Sequence, residues 1–368
     1  MRIVISGYYG FNNSGDDALL MSIIDDIKSV GKNAQITVLS GSPKETKEKY
    51  GVDAVYRYNI FSVLYKILKC DLLISGGGTL IQDATSTKSL LYYLGIIRIA
   101  KLFKRKVMVY ANGIGPLTSF KNIEMTKDVL SDVELITLRD ENSAKELEQI
   151  GISGPEIRVT ADPAFLLEAN EKGGEILENY GIPTDRKLLC VSVRKFKDLP
   201  ENFENTMAEF CDYAADKYNI FPVFLPMQKR NDYAISASIK NKMKNRSVII
   251  GTNCDISSLL SVIKRMHICV GMRLHTLIYA ANCGIPMIGI VYDPKVNGFL
   301  EYMGEERFLN MDEISKDALV KYLDDIYNDY DSIQSNLKFN VRLLKGKSRE
   351  NRELMEKLLD ERRGNGKF

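Results

Sequence analysis

The sequence predicts an α/β protein of two similar domains, each a parallel sheet with helices on both faces. Three observations predict it. The chain has 368 residues, room for about two domains of ordinary size. Short, wholly apolar runs recur along it, as strands buried on both faces require. These runs end in glycine-rich or charged loops and alternate with stretches of helical length, the rhythm of a parallel sheet. Composition agrees: 45% hydrophobic and 27% charged residues fit a folded chain and exclude a disordered or collagen-like one. Lys plus Arg number 50 and Asp plus Glu 48, a net charge of +2, so the whole molecule is not drawn to nucleic acid.

Residues 2–6 (RIVIS) read as a buried strand and residues 17–30 as a helix stopped by Gly31, because glycine readily takes the position just past a helix. Residues 34–39 (AQITVL), 71–75 (DLLIS), 106–110 (KVMVY), 134–138 (ELITL) and 157–160 read as further strands, with a helix from about Glu141 to Gly151. The polar, glycine-containing stretch 168–186 is expected to separate an N-terminal domain, 1–170, from a C-terminal one, 185–330. The second series runs 188–193 (LLCVSV), 221–225 (FPVFL), 247–250 (SVII), 267–270 (HICV), a helix stopped by Gly284, and 286–291 (PMIGIV). A charged helical tail starts near Lys316, and its last part, 335–368, is expected on the N-terminal domain. Open parallel sheets bind ligands outside the carboxyl ends of their strands. Two such domains facing each other would bring those loops together across a cleft.

The inventory narrows the chemistry. His267 and His275 are the two histidines, so a metal centre of several imidazoles is not expected. The six cysteines include no C-x-x-C pair, and several sit in apolar runs, as reduced thiols of a cytoplasmic protein would. The N-terminal apolar stretch is too short for a signal peptide, and no run approaches the ~20 residues that span a bilayer.

The loop after the first strand, GYYGFNNSGDD (residues 7–17), is neither a P-loop nor a G-x-G-x-x-G fingerprint. Asn13, Gly15, Asp16 and Asp17 lie where a helix starts. The two acids would repel a phosphate but suit sugar hydroxyls or a general base, while helix capping explains them equally. Gly76, Gly77 and Gly78 follow another strand. Three adjacent glycines imply close passage of the backbone past a ligand or a neighbouring loop. Arg139 and Arg194 each end a predicted strand. Such an arginine binds a carboxylate or phosphate bidentately, or pairs on the surface, Arg139 with Asp140 or Glu141 for example.

The most specific element is GMRLH (residues 271–275). It sets Arg273 and His275 in the first turn after a buried strand, where helix amides add positive potential. This makes an anion site in which His275 moves protons near neutral pH; the alternative is a histidine hydrogen-bonded in a domain interface. Lys295 reaches the same anion if its strand is the neighbour, and is otherwise solvated. His267, at the start of its strand, is expected to be structural. The stretch 89–106 pairs apolar residues with a basic end, fitting either a core helix or a helix resting on anionic lipid.

Taken in order, GYYGFNNSGDD, ISGGGTLIQD, NGIGP, LRDENS, VSVR, GMRLHTLIYA and YDPKV resemble the polysaccharide pyruvyl transferase family over nearly the whole chain. The type most similar is the Gram-positive cell-surface anchoring enzymes. Asp17 departs from the Glu of many relatives but keeps the carboxylate. The resemblance implies two Rossmann-like domains of the glycosyltransferase B type (GT-B) and phosphoenolpyruvate as donor, with no cofactor and no metal. It also implies a 4,6-linked pyruvyl ketal on N-acetylmannosamine in a secondary cell wall polymer precursor, which is undecaprenyl-diphosphate-linked, for S-layer anchoring. By the same resemblance Arg194, Arg273, His275, Lys295 and Arg139 hold the donor, and Asp16 with the N-terminal glycine loops faces the acceptor. His275, Arg273 and Asp16 are the expected catalytic residues. Two other readings stand beside this: a nucleotide-sugar glycosyltransferase, with Asp293 or Glu301 on the ribose, and a non-catalytic module that binds anionic glycans.

Overall fold

The computed structural model describes residues 1–364 except Thr85, Thr184, Thr252 and Asn253, with all their side chains except those of Lys229, Arg230 and residues 361–364. The chain divides into two units, Met1–Leu166 with Leu344–Phe368, and Leu167–Leu343.

The first unit contains strands β1 (Arg2–Tyr9), β2 (Gln35–Ser40), β3 (Asp53–Tyr56), β4 (Leu72–Ser75), β5 (Gly78–Ile81), β6 (Lys106–Ile114), β7 (Leu135–Leu138) and β8 (Glu156–Val159). Between them run helices α1 (Ser14–Val30), α2 (Pro43–Tyr50), α3 (Ile60–Lys69), α4 (Thr87–Leu102), α5 (Phe120–Leu130) and α6 (Glu141–Gln149). The strands pair in parallel in the order β3-β2-β1-β4-β6-β7-β8, with β5 attached beside β6. Alternation along β1 fills two cores. Ile3 and Ile5 join Leu72, Ile74 and Met108 on one face, and Val4 joins Leu73, Val107 and Val109 on the other.

The second unit contains β9 (Lys187–Ser192), β10 (Ile220–Phe224), β11 (Val248–Ile249), β12 (Ile268–Gly271), β13 (Met287–Val291) and β14 (Phe308–Asn310). Its helices are α7 (Gly173–Asn179), α8 (Phe203–Tyr218), α9 (Lys229–Lys242), α10 (Ile256–Ile263), α11 (Leu274–Asn282), α12 (Pro294–Tyr302) and α13 (Lys316–Asn328). The sheet order is β11-β10-β9-β12-β13-β14, all parallel. Phe203, Met207 and Phe210 of α8 and Leu319, Leu323 and Ile326 of α13 pack on Leu189, Val191, Ile268 and Val270. Fully burying each such side chain contributes about 1.5–3 kcal/mol.

Each unit is thus a doubly wound α/β sheet. Strand order reverses between β1 and β4 in the first unit and between β9 and β12 in the second, and those are the points where such sheets bind ligands.

Several expectations are corrected. The strands β3, β5 and β14 carry no strong apolar run and were not expected; β3 and β14 are short edge strands, half exposed, whose pairing comes from the neighbouring strand. The boundary expected in 168–186 falls just before that stretch, between Leu166 and Leu167, so the stretch begins the second unit, where α7 is tied down by the Gly173 amide donating to Ser261 Oγ at 2.8 Å. The tail helix α14 (Tyr330–Gly364) joins the first unit from Leu344 onward. There Met355 and Leu358 enter the core beside Ile3, and Asn351 holds Thr160 Oγ1 and the Ala161 carbonyl. Residues 365–368 of the expected tail, and Thr184 in the stretch 168–186, lie outside the described residues. Among the described residues, no helix is long and apolar enough to cross a membrane. In 89–106, Leu90, Tyr93, Leu94, Ile96, Ile97 and Ala100 are core residues, so α4 is chiefly a core helix.

His267 sits at the amino end of β12, stacked on Tyr330 with ring centroids 4.2 Å apart. Burial, and then the nearby Lys187 ammonium, push its pKa down to about 4. An unfolded imidazole titrates near 6.5, so between those values the unfolded chain binds the extra proton. Stability therefore falls as pH drops from about 6.5 toward 4, by about 1–2 kcal/mol after screening of this half-exposed ring. Urea melts at the two ends of that window are expected to show the loss in the natural chain and a flatter slope in His267→Gln.

Candidate active site

In the second unit three loops meet at the β9/β12 switch point. Gly271 ends β12, and Arg273 is the N-cap residue of α11, which places His275 in its first turn. Ser192 Oγ, at the end of β9, shares a hydrogen bond of 2.8 Å with Thr276 Oγ1 and locks α11 to the sheet. The Arg194 amide donates to Met272 Sδ. Its guanidinium lies 4.7 Å from the Tyr292 ring centroid, and Nη1 donates to the Tyr292 hydroxyl at 2.7 Å. Tyr292 follows β13, the strand hydrogen-bonded to β12, and Phe196 packs edge-on against its ring at 5.3 Å. Arg194, Arg273, His275 and Lys295 therefore all stand at the carboxyl edge of β9, β12 and β13.

The arginines are held from behind. Asp232, in the first turn of α9, is 0% exposed and grips Arg273 with both carboxylate oxygens, the Nε–Oδ2 distance being 3.0 Å. Asp232 Oδ2 also accepts the Met227 and Gln228 amides at 3.1 and 2.9 Å, and Gln228 Oε1 takes a further bond from Arg273 at 3.2 Å. Such a bidentate clamp fixes the plane of the guanidinium. Lys295 Nζ lies 3.0 Å from Asp293 Oδ2, and Asp293 caps α12. The strand adjacency that Lys295 needed is present, while its charge is shared with Asp293. The residues that sequence reasoning missed are Asp232, Gln228 and Tyr292. Asp232 lies 41 positions from Arg273 and carries no local mark. Tyr292 stood in view beside Lys295.

In the first unit the β1/β4 switch point holds the glycine loops. Asn13 caps α1, its Oδ1 accepting the Gly15 amide at 3.1 Å, so the capping considered for the two acids falls to Asn13. Asp17 is buried, and its Oδ2 lies 2.7 Å from Lys49 Nζ, so its charge is shared in an ion pair. Asp16 stays half-buried, its carboxylate over Gly78. The three glycines are explained by the chain itself. A side chain at Gly76 would collide with the Tyr9 hydroxyl, one at Gly77 would meet Leu19 at 3.1 Å, and Gly78 has φ +95. Arg139 is 7% exposed. It donates to Thr79 Oγ1 at 2.9 Å and lies 3.4 Å from Asp140 and 3.9 Å from Asp162, so it ties the ends of β5 and β7 together.

Two further features escaped the sequence. Ser6, Tyr9, Ser75 and Asn112, all buried at the carboxyl ends of β1, β4 and β6, leave side-chain oxygens without hydrogen-bond partners among the described residues, polar capacity of the kind that serves bound hydroxyls or water. Arg57, 5% exposed, donates to the Gly7 carbonyl at 3.2 Å. Its guanidinium lies 4.2 Å from the Tyr92 ring centroid, with Phe11, Tyr58 and Tyr93 within 5.5 Å. Among the described residues no group of three or more His, Cys, Asp or Glu is placed to hold a metal ion.

Two doubly wound units, each with a switch point in its parallel sheet, define a GT-B-type protein of two Rossmann-like domains. Solved structures agree on that fold. The UDP-GlcNAc 2-epimerase of Neisseria meningitidis bound to UDP-GlcNAc has a TM-score of 0.68 at 11% identity, covering 98% of this chain and 100% of that one. Anabaena Alr3699/HepE in complex with UDP-glucose has a TM-score of 0.64 at 12% identity, covering 99% and 100%. The amylovoran biosynthesis protein AmsJ of Erwinia amylovora is 19% identical over 92% of this chain and 94% of its own length. Residues 13–294 match the family described as polysaccharide pyruvyl transferase. The chain belongs to that family and is a transferase of pyruvyl groups to polysaccharide.

Proposed function

We propose that the donor is phosphoenolpyruvate and that the product is a 4,6-linked pyruvyl ketal on N-acetylmannosamine of an undecaprenyl-diphosphate-linked cell-wall precursor, made in the cytoplasm. The observation that carries the donor is the set Arg194, Arg273, His275 and Lys295 on three adjacent strand ends of one sheet. Phosphoenolpyruvate presents a phosphate and a carboxylate, and two separately fixed guanidiniums with the α11 amides suit two anionic groups.

Two sugar hydroxyl oxygens form bonds to C2 of the donor, the C2–O bond to phosphate breaks, and C3 becomes a methyl group. Of the two hydroxyl protons, one is matched by the proton gained at C3 and the other leaves on phosphate. Positive charge develops at C2 by analogy with glycosyl transfer. In this reading His275 delivers the proton to C3 or holds the departing phosphate, and Arg273, squared by Asp232, holds the anion. Asp16 takes a proton from a sugar hydroxyl in the first unit. Arg139, buried against Thr79, positions that unit's loops.

The test is incubation with phosphoenolpyruvate and a lipid-like β-ManNAc-GlcNAc disaccharide, followed by phosphate detection and mass spectrometry of the saccharide. Phosphate release with a pyruvyl adduct supports the proposal. An inert phosphoenolpyruvate mixture beside UDP release from a UDP-sugar overturns it.

A further inference from the structure

The helix α3 has two apolar faces, and the protein covers one of them. Val63 and Ile67 are buried in the core. Phe61, Tyr65 and Leu68, spaced i, i+4, i+7, form a second ridge that stays in solvent; Phe61 is 83% exposed and Ile60 at the helix start 59%. The neighbouring helix α4 packs beside α3 and ends on Leu102, 73% exposed, then Phe103. An apolar ridge of this kind on a soluble unit marks a surface that meets something.

Charge says what it meets. Every charged residue in 54–70 and in 84–123 is basic, although the whole chain is nearly neutral. Lys66 and Lys101 are paired with Asp53 and Glu134 of neighbouring elements, and Arg98 lies 3.7 Å from Asp128. Lys69 folds onto the Tyr65 hydroxyl, at 2.7 Å, and Lys104 is exposed at the end of α4. Apolar side chains rimmed by lysines fit a bilayer whose headgroups are anionic. A second copy of the chain would set like charges against each other.

We propose that the α3 ridge, extended by the exposed end of α4, rests on an anionic membrane surface, with Phe61 and Leu68 entering the interface and Lys69 and Lys104 meeting lipid phosphates. This centres the contact on α3 and leaves only the exposed end of the stretch 89–106 taking part. It is independent of the donor and acceptor proposed above, because vesicle binding is read without turnover.

The full chain is to be sedimented with phosphatidylcholine vesicles with and without phosphatidylglycerol. Binding to the anionic vesicles is expected at low salt, with release as salt is raised. The double variant Phe61→Ser, Leu68→Ser is expected to lose at least about tenfold in binding, and Lys69→Gln, Lys104→Gln about as much. Both pairs are exposed, so unchanged circular dichroism and melting confirm folded variants. The proposal is overturned if the natural chain ignores anionic vesicles at low salt or if the serine variant binds equally well. A dimer in light scattering that the serine variant splits would also overturn it, by assigning the ridge to a second copy.

Discussion

Replacing His275 by alanine is expected to cut pyruvyl transfer by about 100- to 10,000-fold while leaving the fold intact, the range that one positioned proton-transfer group supplies. His275 is half-buried in the first turn of α11. That helix is held by Leu274, Leu277 and Ile278 in the core and by the Ser192–Thr276 bond, none of which the substitution removes. The loss should therefore fall on turnover, with thermal unfolding near that of the natural chain. A variant that turns over at close to the natural rate would remove His275 from the chemistry. A variant that melts early would mean that the ring is instead a structural hydrogen-bonding group.

Asp232→Asn is expected to damage both stability and transfer. The natural carboxylate is fully buried, clamps Arg273, and accepts two backbone amides at the start of α9. The amide side chain keeps the volume but surrenders the charge, leaving a guanidinium only 12% exposed without its counter-ion. Breaking one side of a buried pair costs about 3–5 kcal/mol, measurable by urea denaturation. If Arg273 holds an anion in the plane that Asp232 sets, transfer should fall further than the folded fraction does, and the loss should appear in KM for the donor. The double variant Asp232→Asn, Arg273→Met separates the two effects. Stability should return in part because the uncompensated charge is gone, and transfer should not. A single variant as stable as the natural chain would show that the clamp contributes little.

The sheet class was legible because its signal is local. Runs such as RIVIS, LLCVSV and HICVG are apolar on both faces, and only a strand covered from both sides can use them. Of the strands that escaped, β3 and β14 are edge strands whose outer sides face solvent, so their composition is mixed and their partners lie in another strand. The candidate site divides in the same way. Arg194, Arg273, His275 and Lys295 were visible because each follows a strand directly. The glycines 76–78 were visible as well, but not the neighbours that require them: Tyr9 crowds Gly76, Leu19 crowds Gly77, and Gly78 takes a positive φ.

By itself, the sequence determined the parallel-sheet class, the strand ends that carry cations, and the family to which the chain belongs. All of these rest on residues close together in the chain. Tertiary structure alone decided that Asp232 stands behind Arg273, that Arg194 lies on Tyr292, that Asp17 answers to Lys49, and that α3 keeps an uncovered apolar face. The physical reason is common to them. Each depends on which strands and helices become neighbours when the sheets wind in both directions from β1 and from β9, and that order is set by the packing of whole elements rather than by any local pattern of residues.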